Sequence, residues 1–206
     1  MDDGLRVLAR DAIGFMPEDE GLALYEAGLR GAKAGPLLEI GSYCGKSAIY
    51  LGAAAREHGT ILYSIDHHRG SEEQQPGEEY HDFRLVDPAT GAVDTFPFFR
   101  RAIADAQLED HVVAIVAGSA TVANHWATPL GLVFVDGGHS EEAARTDYEG
   151  WAPHLVPGGV LAIHDVFADP SEGGQAPFHV YKAALGSGSF EEISATGSLR
   201  VLEKTE

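Results

Sequence analysis

Cysteine is almost absent from this sequence: Cys44 is the only one, so no disulfide can close within the chain. A reducing, cytoplasmic compartment is the natural reading. Basic side chains are also scarce, 14 Lys and Arg against 32 Asp and Glu, for a formal net charge of −18. Binding a polyanion releases counterions through dense Lys/Arg clusters, and the sequence has none, which argues against nucleic acid and for a small or neutral partner. No apolar run reaches the ~18 to 20 residues that span a bilayer. The opening MDDGLRVLARDAIG carries early acids and no continuous apolar stretch, unlike a signal peptide, so no membrane partner is expected. The dinucleotide fingerprint G-x-G-x-x-G is missing too, which counts against an NAD-dependent oxidoreductase.

What is present describes an ordinary globular chain. Hydrophobic residues make up 44% and charged residues 22% of 206 positions, enough for one good-sized core and short for two. Residues 1–206 are therefore expected to form a single domain. Leu5, Val7, Leu8 and Ile13, then Leu22, Leu24, Tyr25 and Leu29, recur at helical spacing. Pro17 divides the two stretches and stands where it can start the second helix, and Gly35-Pro36 ends it. Residues 1–35 thus read as a helical preface, and its helices are the candidate surface for a homodimer.

From Pro36 short apolar runs alternate with amphipathic helices. Strands are predicted at Leu37–Ile40, Ile61–Ile65, Val112–Val116, Leu132–Val135 and Val160–Ile163. Helices are predicted at Lys46–Arg56, Phe98–Ala106 and Glu141–Trp151. Strand–helix alternation implies an α/β fold with a mostly parallel sheet, since parallel neighbours need crossovers. Phe190–Ser194 and Leu199–Leu202 flank a short turn and predict an antiparallel C-terminal hairpin. Two Gly/Pro-rich stretches, 67–95 and 167–177, follow strands at their carboxyl ends, where open α/β folds bind ligands, and read as lid or substrate loops.

The densest motif is LLEIGSYCGKSAIYLG, residues 37–52. A strand runs into Gly41, turns through Ser42-Tyr43-Cys44-Gly45 and opens a helix near Lys46, with glycines where a ligand must approach the backbone. Glu39 sits just inside the strand end, and Ser47 can offer a hydroxyl to a bound carboxylate. Asp66 closes the second strand, where an acid can accept hydrogen bonds from both ribose hydroxyls of an adenosyl group. His67 and His68 follow it and can line the cofactor or substrate loop. Gly118 and Ser119 end the third strand beside the expected adenine position.

A second constellation lies further along. LGLVFVDGGHSEE brings a strand to Asp136 and then His139, and GGVLAIHDVF brings the next to His164 and Asp165. Adjacent parallel strands that each deliver a carboxylate at one edge place two hard oxygen ligands together, which suits Mg²⁺ or another divalent cation. Such an ion can bind an acceptor hydroxyl and lower its pKa. Asp147, Tyr148, Trp126 and Trp151 read as surface or packing residues, and Cys44, lacking a basic neighbour, as packing.

LEIGSYCGKSA resembles the cofactor loop of catechol O-methyltransferase and its relatives, and the resemblance runs from Pro36 to about Val166. It implies a Rossmann-like class I fold that binds S-adenosylmethionine, with Gly41, Tyr43 and Ser47 around the methionine end and Asp66 on the ribose. Metal-dependent O-methyltransferases of this kind carry an aspartate where Asp136 stands and many place a general base three residues later. His139 reproduces that spacing, and Asp165 matches the second metal position. The third ligand departs from the pattern: the neighbours of Asp165 are His164 and Val166, so either His164 or a water completes the set. The short chain, histidine base and polar loop DHHRGSEEQQPGEEYHD are similar to small bacterial sugar O-methyltransferases, including the type that caps methylmannose oligosaccharides at the anomeric hydroxyl. Tyr80 and Phe83 would then stack on sugar rings. A catechol-like aromatic hydroxyl is the alternative acceptor, and a non-catalytic adenosyl-binding protein the alternative class.

Overall fold

The computed structural model describes residues 1–205 apart from 76 and 79, which fall within the predicted 67–95 loop. Seven strands and seven α-helices alternate through these residues. The preface forms α1 (Asp3–Asp11) and α2 (Glu18–Gly31). Then come β1 (Leu37–Ile40), α3 (Lys46–Glu57), β2 (Leu62–Asp66), α4 (Phe96–Asp105), β3 (Val112–Val116) and the short α5 (Ser119–Ala123). The chain continues through β4 (Leu130–Val135), α6 (Glu141–Trp151), β5 (Leu155–Ile163), α7 (Ala176–Gly186), β6 (Phe190–Thr196) and β7 (Leu199–Lys204).

The sheet order is β3-β2-β1-β4-β5-β7-β6. All pairings from β3 to β5 are parallel, and β7 runs antiparallel to both β5 and β6. This is the mostly parallel, Rossmann-like sheet with an antiparallel terminal hairpin that the alternation predicted. Strand order reverses between β1 and β4, so the crevice for a ligand opens beyond their carboxyl ends. Central β1 and β4 are buried at every residue, as strands covered on both faces must be.

Each face of the sheet carries its own apolar layer. Tyr50 and Phe134 lie in the layer beneath α1–α3, and Trp151 in the layer beneath α6 and α7. Close approach of α2 to α3 depends on glycine: a Cβ at Gly21 would lie 2.3 Å from the Tyr50 ring, and one at Gly28 2.8 Å from Ala54. That proximity carries Glu20, alone of the acids in the first turn of α2, into the protein interior.

Several boundaries and two helices, the short α5 and α7, differ from the sequence reading. Strand β4 begins at Leu130 and β5 at Leu155, earlier than predicted, with a register irregularity between Leu130 and Leu132. Helix α7 was not expected. Its Pro177 occupies the first turn, where the missing N–H costs nothing, rather than ending a loop.

Candidate active site

Gly41 leaves β1 at φ +87, and a Cβ there would stand 2.0 Å from the Asp136 carbonyl oxygen. The glycine is thus required by the crossing of two backbone segments as well as by any ligand. The turn after it is tied to Asp66, whose Oδ2 accepts from Ser42 N–H at 3.0 Å and Tyr43 N–H at 2.8 Å. Oδ1 of the same carboxylate accepts from His68 N–H at 2.7 Å. Asp66 therefore shapes the loop itself while facing the cleft.

That cleft has a volume of about 820 Å³ and runs along the carboxyl edge of the sheet, within the size range of small-molecule sites. Gly41, Ser42, Tyr43, Asp66 and His67 line one end, with Ala117 and Ser119 nearby. Two predicted cofactor residues lie elsewhere. Glu39 is fully buried beneath the loop, where its carboxyl accepts from Ser47 Oγ at 2.9 Å and Ser64 Oγ at 2.6 Å. Burial pushes its pKa up to about 8, against the pull of the two hydroxyls. Ser47 reaches the cleft wall, but its hydroxyl proton already serves Glu39. Gly118 caps α5 and does not line the cleft; its neighbour Ser119 does, and the Ser119 hydroxyl accepts from Trp151 Nε1 at 2.8 Å. His68 is a structural residue, bonded to Thr95 at 2.8 Å and packed on Phe96 and Phe99.

At the other end, β4 and β5 deliver Asp136 and the His164–Asp165 pair. Ser140 caps α6 by accepting from Ala143 N–H, which fixes the residue before it, His139, at the mouth. Asp136, His139 and Asp165 each offer a ligand atom, and these atoms lie within 4.8 Å of one another. His139 Nε2 is 3.1 Å from Asp165 Oδ2, and Nδ1 is 3.2 Å from Glu73 Oε2 on the long loop. Hydrogen bonding to Asp165, and then to Glu73, raises His139 to about 9 despite partial burial.

His164 does not join that cluster. Its Nε2 meets Glu20 Oε2 at 2.5 Å, and its Nδ1 faces Asp136 Oδ1 at 3.2 Å and Asp165 Oδ1 at 3.4 Å. With carboxylate oxygens on both nitrogens, the ring is a donor twice over and has no lone pair for a metal. The predicted ligand is thus replaced by His139 in the cluster, and His164 stands behind it. Burial opposes charge on His164, but Asp136, Asp165 and Glu20 together raise its pKa. Burial would likewise raise Asp165, yet its bonds to His139 and His164 hold it well below the usual carboxylate range. Asp136 goes the other way, raised because burial outweighs His164.

Three further residues were not singled out by sequence. Glu20 and Glu73 look like ordinary solvated acids in a helix and a loop. Phe15 packs at 5.7 Å from Tyr43 and 5.5 Å from Tyr80, and all three rings line the cleft. Phe83, expected to stack on a substrate, is 79% exposed and outside the cleft lining. Asp147 is buried and does line it, under the Gly137-Gly138 turn.

A cleft at the switch point of such a sheet, with a glycine turn at one end and an acid–imidazole cluster at the other, defines a class I methyltransferase architecture. Residues 38–166 match the family described as methyltransferase domain, more than half of the chain, and the chain belongs to that family. Among solved structures it is similar to the O-methyltransferase NovP (TM-score 0.70, 16% identity, covering 98% of this chain and 88% of that one). The O-methyltransferase TomG of Streptomyces achromogenes, involved in tomaymycin synthesis and solved with S-adenosylmethionine, gives a TM-score of 0.66 at 18% identity, covering 100% and 91%. CalS11, a TDP-rhamnose 3′-O-methyltransferase of calicheamicin biosynthesis, gives 0.65 at 15% identity, covering 90% and 80%. At these identities the likeness is one of fold.

Proposed function

We propose that this chain is an S-adenosylmethionine-dependent, metal-assisted O-methyltransferase whose acceptor is a hydroxyl of a small uncharged molecule, a sugar or glycoside. The observation that carries the reading is the Asp136–His139–Asp165 cluster at the end of the cleft opposite the glycine turn. The solved structure of TomG with S-adenosylmethionine, on the same fold, supports the cofactor. Gly41, Ser42, Tyr43, Asp66, His67 and Ser119 are the residues to hold it, since each reaches the cleft wall.

The donor set fits a divalent ion: two carboxylates from adjacent strand ends leave room for waters and one acceptor oxygen, the arrangement Mg²⁺ prefers. Asp136 and Asp165 would hold that ion, which would supply Lewis acidity to an acceptor oxygen and the positive charge that Asp165 otherwise draws from His139. His139 would then be free to work as the neutral ring, taking the hydroxyl proton at Nε2 while Glu73 holds Nδ1–H. Its place within the cluster favours one second reading, in which the imidazole is itself a ligand and the ion one of the borderline metals. His139→Ala separates the two: a base is lost without loss of metal affinity, whereas a ligand takes metal affinity with it.

Charge and shape both bear on the acceptor class. Glu72, Glu73 and Glu172 line the cleft with the metal carboxylates, which disfavours phosphorylated or thioester-nucleotide acceptors. Phe15, Tyr43 and Tyr80 offer ring faces to a sugar. The decisive experiment is isothermal titration of chelator-treated protein with S-adenosylhomocysteine, with and without Mg²⁺. Expected are micromolar cofactor binding and a separate Mg²⁺ heat that Asp165→Asn abolishes; absence of cofactor binding overturns the proposal. A labelled-methyl assay over glycosides and catechols then separates the sugar acceptor from the aromatic alternative.

A further inference from the structure

Glu20 is the one buried acid of the preface, 4% exposed, and it reaches neither the cofactor end nor the acceptor end of the cleft. A carboxylate this deep needs several donors to offset its lost hydration. Glu20 Oε1 accepts from Ser198 N–H at 2.5 Å, and Oε2 lies 3.3 Å from Ser198 Oγ and 2.5 Å from His164 Nε2. The far side of that imidazole is Nδ1, which faces one oxygen of Asp136 and one of Asp165. His164 itself is 6% exposed, so the ring has no water to turn toward.

From this geometry we infer that Glu20 is a positioning residue for the divalent-metal site, acting through His164 to hold Asp136 and Asp165 at a fixed separation. The inference rests on the metal-assisted reading given above. Asp136 and Asp165 come from different strand ends, and Asp165 sits at φ +55, a left-handed conformation that Asp adopts more readily than most non-glycine residues. His164 Nδ1–H supplies the constraint on their separation, hydrogen-bonded to Asp136 and 3.4 Å from the Asp165 carboxylate, and it keeps that place between them only if the ring is held from behind. Supports of this kind behind ligands typically alter metal affinity tenfold to a hundredfold, by about 10–100 in Kd. A competing account is that Glu20 merely fastens α2 to the hairpin turn at Ser198.

Manganese titration followed by electron paramagnetic resonance, on chelator-treated protein with S-adenosylhomocysteine bound, distinguishes them. Wild type should take up Mn²⁺ at a site lost in Asp165→Asn. Glu20→Ala and Glu20→Gln should each weaken Mn²⁺ by about 10-fold or more at unchanged S-adenosylhomocysteine affinity, while Ser198→Ala, which removes the 3.3 Å hydroxyl contact and keeps the N–H, leaves both unchanged. Folded Glu20 variants with wild-type Mn²⁺ affinity overturn the inference, as does a Ser198→Ala loss equal to theirs. In unaltered protein, the His164 Nε2–H resonance should move when Mg²⁺ is added; a fixed resonance counts against the inference even if both Glu20 variants fail to fold. Wild type that binds cofactor but no Mn²⁺ removes the metal reading, and the inference with it.

Discussion

Glu39 and Asp165 are acids at the inner edge of one sheet, and their surroundings drive them in opposite directions. Glu39 has only two hydroxyls to set against complete burial, and its pKa rises to about 8 from an ordinary 4.5. The stability it contributes is therefore fully present below about pH 4.5 and is lost as pH rises through about 8. Glu39→Gln keeps the shape and cannot ionise. In thermal melts from about pH 5 to about pH 9, wild type should lose stability relative to this variant on the alkaline side; parallel profiles would show that Glu39 carries no proton. Asp165, held down by two imidazoles, contributes stability above the ordinary carboxylate range that is lost in acid. At the reacting end, Asp136→Asn and His139→Ala should each lower methyl transfer by about a hundredfold or more, the low end for a lost general base. A single-turnover assay at saturating cofactor reads this, and near-wild-type rates would sink the assigned roles.

Among the elements, the β1–α3 turn is where local sequence and tertiary demand coincide. Gly41→Ala would force a Cβ to within 2.0 Å of the Asp136 carbonyl at a positive φ. It should cost about 1–3 kcal/mol in strain alone and abolish S-adenosylhomocysteine binding, read by denaturant melts and titration calorimetry. That turn was legible because glycine spacing and apolar runs are local signals, and β1, β3 and α6 fall where periodicity put them. Helix α7 was not, because Pro177 and the preceding glycines look like loop until one sees the proline at a helix start. The Asp136–His139–Asp165 cluster was legible only in part. Adjacent residues leaving a strand tend to point to opposite sides, so His164 and Asp165 were poor candidates for one cluster, a signal that alternation offered and chain order obscured. Glu20 had no local signal: its partners His164 and Ser198 are 144 and 178 residues away, and only the fold joins them.

For the molecule as a whole, the net charge of −18 makes cations a general stabiliser, and the acid-lined cleft would make them a specific one if the proposed site binds. The two effects have different signatures. Screening by NaCl weakens repulsion everywhere, saturates slowly and is indifferent to any single carboxylate. Mg²⁺ bound at Asp136 and Asp165, as proposed, would add RT ln(1 + [L]/Kd), about 2.7 kcal/mol at a hundredfold excess over Kd. Raising NaCl should therefore raise the melting temperature of wild type and Asp165→Asn alike. Millimolar Mg²⁺ on a background of high NaCl should raise only that of wild type. Equal Mg²⁺ shifts in both proteins would mean the ion acts on the overall field rather than at the strand ends. The chemistry would then fall to His139 alone, in a ring that Asp165 and Glu73 keep protonated well above neutrality, which is a poor state for a base and the reason a bound cation is part of the proposal.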